Sequence, residues 1–270
     1  MPIERMIEGM RREDPLPRPQ LAVPVRLVRA AAERAKKSGN PKTLAMSDLI
    51  IIAFFYLLRS GEYTKPRYVN RKGKRVKATR TVQFRIKDIG FFNNSFAIDK
   101  YTASLEELLE ATSATLRLGN QKNGKMGQCI HHAAIPDVAW GPTQALARRV
   151  FHILQNGGDE NSLLCDFKWE DGTWDCIEAA DIVSHVRQTS REMGLHRQGI
   201  DTDLIGAHSL RAGGAMALKL KGIADTIIMK HGRWSGLTFL MYIHNQIAHL
   251  SNELAQKMSE DVPFVNITNF

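Results

Sequence analysis

Cysteine is scarce, with three in 270 residues (Cys129, Cys165 and Cys176). An odd number without metal-ligand spacing speaks against a disulfide framework, and it implies a reducing compartment and buried thiols. Long hydrophobic runs are also missing. The longest, Leu49 to Leu58, is ten residues, about half of the ~20 needed to span a bilayer, and no signal-peptide pattern opens the chain. Acid is in deficit, with 28 acidic against 37 basic residues, a net charge of +9 and a pI near 9.6. Such an excess points to a polyanionic partner, nucleic acid before membrane, because the charge is not gathered on one amphipathic helix. A basic protein without a polyanion is the plainer alternative.

What remains is an ordinary globular composition, 43% hydrophobic and 24% charged, long enough for one large domain or two small ones. Residues 1–24 carry Pro15, Pro17, Pro19 and Pro24 among arginines and read as an extended linker. A short basic helix is predicted over Val25 to Lys37, ending at Ser38-Gly39-Asn40-Pro41. Ser47 or Asp48 is expected to cap the next helix, whose Ile50 to Leu58 are apolar nearly all round and therefore central to the core. Residues 65–80 hold eight basic residues and no acidic one. They form either a solvated or nuclear-import loop or a phosphate-backbone contact through Lys72, Lys74, Arg75 and Lys77. Thr81 to Ile89 alternates as a strand does. Two more strands, Thr115 to Leu118 and Gln128 to Ile135, flank Asn123-Gly124, a strong hairpin pair. Cys129, His131 and His132 invite a metal, but adjacent histidines on a strand face opposite ways. An amphipathic helix over Pro142 to Gln155 stops at Gly157-Gly158, and a loop over Asn156 to Thr173 has room for a short strand at Leu163 to Phe167. Asp181 is expected to cap a helix reaching about Met193.

The chemistry is concentrated in residues 205–244. His208 and Arg211 are three apart on a predicted helix, so both side chains leave one face. Ala212, Ala215 and Ala217 follow, and Gly222 suits the left-handed residue that ends a helix. A second short helix is predicted over Ile223 to Met229, then Gly232-Arg233-Trp234, then Phe239-Leu240-Met241 leading to Tyr242. A guanidinium, an imidazole, an indole N–H and a phenol form a phosphate-handling set with its own nucleophile.

Taken with L-L-R-S-G-E (57–62) and Q-K-N-G (121–124), the order H-S-L-R, G-R-W, F-L-M-Y resembles the tyrosine recombinase (phage integrase) superfamily. It is most similar to recombinases of eukaryotic mobile elements of the DIRS and crypton kinds. The resemblance covers roughly Met46 to His244. Tyr242 lies eight positions after Trp234, one fewer than phage and bacterial members have, so Arg233 and His231 stand beside Trp234 as occupants of its role.

The resemblance implies an α+β, mostly α, tyrosine recombinase catalytic-domain fold with a small antiparallel β-sheet at one edge. It sets a catalytic domain with a C-terminal helix at 46–270, preceded by a linker or remnant at 1–45 with too little chain for the family's N-terminal core-binding domain. It implies a metal-independent DNA strand transferase without cofactor, acting in recombination, integration or transposition through a 3′-phosphotyrosine. Arg59 and Arg211 would hold the non-bridging oxygens, Trp234 would add a third contact, and His208 would assist Tyr242. Lys122, with Lys125 as the alternative, would protonate the leaving 5′-oxygen. Partners would be double-stranded DNA and further copies, a tetramer on DNA, in the nucleus. Ile247, Leu250, Leu254 and Met258 form an apolar stripe that serves either the core or docking on a neighbouring protomer. A catalytically silent, domesticated DNA-binding domain, a type IB topoisomerase-like strand transferase and an unrelated basic helical domain are the alternatives.

Overall fold

One tetrapeptide, Ser38-Gly39-Asn40-Pro41, ends the first helix and starts the second. In the computed structural model, which describes residues 21–78, 81–119, 127–234 and 236, α1 (Val25–Ser38) closes on Gly39 at φ 74. Helix α2 (Pro41–Phe55) then opens with Asn40 as its cap, Oδ1 accepting the Thr43 N–H at 2.9 Å. The cap is therefore Asn40, not Ser47 or Asp48. A capping asparagine followed by proline at the first helical position outweighs a serine further on. Ser47 and Asp48 lie inside the helix and are buried: Ser47 Oγ donates to Ala32 O (2.8 Å), and Asp48 accepts from Arg148 Nε (2.7 Å).

Every residue from Ala45 to Phe54 is buried, so α2 runs through the middle of the core. Helix α1, from the segment placed ahead of the catalytic domain on sequence, adds Leu27, Val28, Ala31, Ala32 and Ala35 to the same cluster. The end of α2 is unusual. Leu58 N–H reaches back to Ala53 O (3.0 Å), a Schellman closure, and the left-handed residue within it is Leu57 at φ 47, where glycine is the usual occupant. A side chain there costs about 1–2 kcal/mol.

Helix α3 (Ser60–Tyr63) follows, then a hairpin of β1 (Tyr68–Arg71) and β2 (Lys74–Lys77) in register Tyr68↔Lys77. The basic stretch is thus a strand pair, not a loop. Its turn, Lys72-Gly73, has φ of 50 and 74, the backbone that tight hairpins require. Thr81 to Ile89 is not a strand either. Phe84 and Ile86 are buried, but so are Thr81 and Gln83, while Val82 is only partly buried; from Thr81 to Asp88 only Arg85 makes a bridge, to Leu163, and a 3₁₀ turn covers Ile86–Asp88. The alternation here marks neither one core-facing side nor a neighbouring strand.

The ladder itself contains β3 (Ile89–Asn93), β4 (Phe96–Ile98), β5 (Ser113–Arg117) and β6 (Cys129–Ala133), antiparallel in the order β4-β3-β5-β6, with α4 (Leu105–Leu109) between β4 and β5. Helix α5 (Pro142–Gln155) has the expected bounds and stops at Gly157, φ 88. A second hairpin, β7 (Asp166–Lys168) with β8 (Trp174–Cys176), precedes α6 (Ala179–Glu192). The cap of α6 is Glu178, and Asp181, expected in that place, sits three residues on and accepts the Glu178 N–H (3.0 Å). Helices α7 (Ser209–Leu220) and α8 (Asp225–Gly232) complete the described fold, α7 closing at Gly222 (φ 75). The whole is α+β, mostly helical, with small antiparallel sheets. No described helix is long and apolar enough to cross a membrane.

Candidate active site

The site is assembled at the C-terminal end of α2, and two glycines of α7 allow it. A Cβ on Gly214 would lie far inside contact distance of Leu57 Cδ2 and Phe54 O, and one on Gly213 would do the same against Val23 O. Without a side chain at 214, α7 approaches the end of α2 closely, and without one at 213 it lies against the backbone of Val23. Arg211, one turn earlier and 4% exposed, then reaches two backbone carbonyls, donating Nη1 to Leu57 O and Nη2 to Gly232 O. His208 caps α7 instead of lying within it, because the helix begins at Ser209; its backbone C=O accepts the Ala212 N–H at 2.9 Å.

Leu57 O takes a second guanidinium. Arg233 Nη2 donates to it (3.0 Å) and to Glu62 Oε2 (2.9 Å). Glu62 is wholly buried and also serves Arg59: the Arg59 N–H lies 2.8 Å from Oε2, and Arg59 Nη1 lies 3.2 Å from Oε1. Arg59, Arg211 and Arg233 come from distant parts of the chain, yet all three guanidinium groups gather on one carboxylate and one carbonyl. Burial pulls Arg233 below the usual arginine range, Glu62 raises it and Arg59 lowers it further. Sequence reasoning missed Glu62, which entered it only as the last residue of L-L-R-S-G-E. The spacing R-S-G-E carried the signal, since a short turn puts residues three apart side by side.

Arg233 is itself left-handed, at φ 61. It ends α8 as Leu57 ends α2: Trp234 N–H reaches back to Met229 O at 3.0 Å. Two side-chain-bearing residues in glycine's usual conformation thus meet across Leu57 O, and strain of this kind clusters at functional sites. Trp234 folds back over Gly232, where a Cβ would collide with its ring. The ring then lies against Arg211, its centroid 4.1 Å from the guanidinium carbon.

The last open carbonyl of α2 is also satisfied. His132 Nε2 and His231 Nε2 lie 2.8 and 3.0 Å from Phe55 O and 3.1 Å from each other. A carbonyl has two lone pairs, so each ring donates one N–H to it. Burial first, and then its neighbour His231, push His132 down to about 4; His231 is also lowered, chiefly by burial. His131 on the same strand is exposed, so the two histidines face apart as expected.

The basic hairpin is rooted in this site. Phe84 N–H donates to Glu62 O (2.9 Å), Gln83 Nε2 to Gly61 O (2.9 Å), and Lys77 Nζ to Gln83 Oε1 (2.9 Å). Lys72, Lys74, Arg75 and Lys77 are exposed, and Arg75 lies over the Tyr68 ring, 4.7 Å from its centroid. The structure therefore brings together Arg59, Arg211 and Trp234, with His208 at the head of the Arg211 helix, and of the hairpin cations it links Lys77 to them, through Gln83 and Gly61 O. Lys122, Lys125, Tyr242 and the 247–258 stripe lie outside the described residues.

Two other tyrosines are poor nucleophiles. Tyr56 and Tyr63 are fully buried, and burial raises both phenols above their ordinary range. Among the described residues, possible metal ligands gather only at Cys165, Asp166 and Cys176, where the β7–β8 hairpin overcomes a spacing that did not suggest a site. Their sulfurs are 3.1 Å apart. Cys129, expected to be buried, is exposed on β6. No protein-family model matches the chain, and no curated protein matches it.

Proposed function

We propose that the protein is a DNA strand transferase of the tyrosine recombinase kind, cleaving and rejoining DNA through a 3′-phosphotyrosine. The observation that carries this is the meeting of Arg59 and Arg211, from segments 152 residues apart, around Leu57 O and Glu62. Attack on a phosphodiester builds negative charge on the non-bridging oxygens, and fixed guanidinium groups stabilise it bidentately. One preorganised donor of this kind is worth a factor of ~10² to 10³. The arginines supply the positive charge, so the reading needs no metal.

In this reading Tyr242 attacks phosphorus, His208 accepts or orients the phenolic proton, and the 5′-oxygen leaves with a proton from Lys122. The new bond conserves the energy of the old one, so religation needs no nucleotide. The basic hairpin, rooted at Gly61 and Glu62, carries Lys72, Lys74, Arg75 and Lys77 along the DNA backbone. Assembly as a tetramer on DNA through the C-terminal stripe, and a nuclear location, belong to the same proposal.

A nicked duplex that traps the cleaved state tests it. Incubation with wild-type protein is expected to give a protease-sensitive, gel-shifted strand joined through its 3′ end, with a free 5′-hydroxyl on the released fragment. DNA binding without any adduct would favour the silent DNA-binding domain.

A further inference from the structure

The β7–β8 hairpin gathers three donors of metal-ligand type that strand transfer does not use. The Sγ atoms of Cys165 and Cys176 and a carboxylate oxygen of Asp166 all lie within 4.8 Å of one another, the two sulfurs 3.1 Å apart. Asp166 stands opposite Cys176 in the register, so their side chains share one face of the hairpin. Cys165 joins them because the chain turns just before β7, where the Asp166 N–H reaches Leu163 O (2.9 Å). The Leu163 N–H in turn donates to Asp166 Oδ2 (2.7 Å) and fixes the carboxylate, as outer partners fix the ligands of metal sites. Cys165 is wholly buried, whereas Asp166 and Cys176 are half-buried and border an open cleft of about 520 Å³. An ion therefore has a way in.

A second observation points the same way. Arg149, 2% exposed on α5, donates Nε to Leu164 O (3.3 Å) and Nη2 to Asp166 O, the carbonyls on either side of Cys165. Burial lowers its pKa, while Asp48 and then Cys165 raise it. Among the described residues no carboxylate forms an ion pair with it, and Asp48 bonds to Arg148 instead. A buried cation without an ion-pair partner is costly. As thiols the two cysteines are neutral; the Cys165 sulfur first, and then burial, hold the Cys176 thiol above its ordinary range. A divalent cation with two thiolates and one carboxylate carries a single negative charge, the counterpart of Arg149.

We propose that Cys165, Asp166 and Cys176 bind a thiophilic divalent cation, zinc, with water from the cleft in the fourth position. Two soft sulfurs with one oxygen suit tetrahedral zinc better than magnesium or calcium, which prefer oxygen alone. Zinc bonds of ~2.3 Å set two sulfurs about 3.8 Å apart, so the pair opens by roughly 0.7 Å, a shift within reach of the half-buried Cys176 side chain. Binding forms two Zn–S bonds and one Zn–O bond and releases both thiol protons to solvent. The ion staples a hairpin of two three-residue strands, too short to be stable alone. Lys65, which opens the basic stretch, donates its N–H to Ile177 O (2.8 Å) beside Cys176. The staple thus also steadies the approach to β1. None of this depends on strand transfer.

The test uses the full chain, reduced with a phosphine and stripped of metal by a chelator that is then removed. Zinc is titrated in competition with a chromophoric chelator, and cobalt(II) replaces it for spectroscopy. Wild type is expected to bind zinc saturably, release about two protons per ion and unfold at a higher temperature. With cobalt it is expected to show thiolate charge-transfer absorption and the strong visible bands of a tetrahedral site. Cys176→Ala and Asp166→Asn, the latter keeping an acceptor for the Leu163 N–H, are each expected to bind roughly tenfold or more weakly, the cost of disturbing even a ligand's supporting partner. Cys129→Ser, which alters the exposed cysteine of β6, is expected to bind as wild type does. No zinc bound by wild type, or unchanged affinity in Cys176→Ala, would overturn the proposal. Should the variants fail to fold, zinc-edge X-ray absorption of the wild-type complex decides. Two sulfurs in the first shell are expected, and one or none would overturn it. Cys165 and Cys176 closing to a disulfide in air as fast with zinc as without it would also overturn it.

Discussion

Gly214→Ala separates stability from catalysis at this site. The added methyl would collide with Leu57 Cδ2 and Phe54 O. Restoring ordinary carbon contacts of about 3.5 Å requires α7 to retreat by roughly 1 Å. Alanine favours the helix by ~1 kcal/mol over glycine, while overpacking costs ~1–3 kcal/mol. The net loss of stability is therefore small, about 0–2 kcal/mol. Arg211 rides on the same helix, and a displacement near 1 Å costs on the order of 10²-fold in rate. The expected signature is a roughly hundredfold slower adduct formation in a protein whose urea midpoint barely moves. Gly222→Ala is the control: nothing lies within 4 Å of the added methyl, but φ is 75, so it should cost ~1 kcal/mol of stability and leave the rate alone. If Gly214→Ala cleaves as fast as wild type, the close approach of α7 is not what positions Arg211.

Other consequences follow from the same geometry. Glu62→Ala leaves Arg233 without its anion in a buried place and should destabilise the fold by ~3–5 kcal/mol, measured by urea unfolding; a loss below 1 kcal/mol would deny that the pair is buried. For His132, the folded ring titrates at about 4 against an ordinary 6.5. The unfolded chain thus binds the extra proton between those values, and stability falls as pH falls through that window. Unfolding midpoints at pH 7, 6 and 5 should fall less steeply in His132→Gln than in wild type; parallel slopes would refute the assignment. Neutralising Lys72, Lys74 and Arg75 should flatten the dependence of log K for DNA on log salt by ~0.9 per lost contact. Lys77, engaged with Gln83, should contribute less, and equal losses at all four would contradict that difference. Lys122→Ala should be rescued by a substrate whose leaving 5′-oxygen is replaced by sulfur, and Lys125→Ala should not; the reverse pattern would exchange their roles.

Much of the helical fold was legible because its signals are local. Pro142 with Gly157 bounds α5, Gly39 ends α1, and Gly222 ends α7. The Lys72-Gly73 hairpin was not legible, since eight basic residues without apolar alternation carry no strand pattern. It is held by backbone pairing and by its roots at Gly61 and Glu62. Arg59 and Arg211 stood out by spacing, but the carboxylate and carbonyl that gather them did not. Leu57 and Arg233 are both left-handed, and the Arg233 bond to Leu57 O joins their two turns, a tertiary contact that no short stretch of sequence records. Gly213 and Gly214, unremarked within a run of small residues, are explained only by what their Cβ atoms would meet.

The central claim is most directly tested by mapping the covalent link. Trapped adduct from the nicked duplex is digested with protease, and the nucleotide-bearing peptide is sequenced by mass spectrometry. The account predicts a single 3′-phosphotyrosyl link at Tyr242, absent in Tyr242→Phe although that variant folds and binds DNA as wild type does. A 5′ link, a link at another residue, or cleavage by Tyr242→Phe would contradict it.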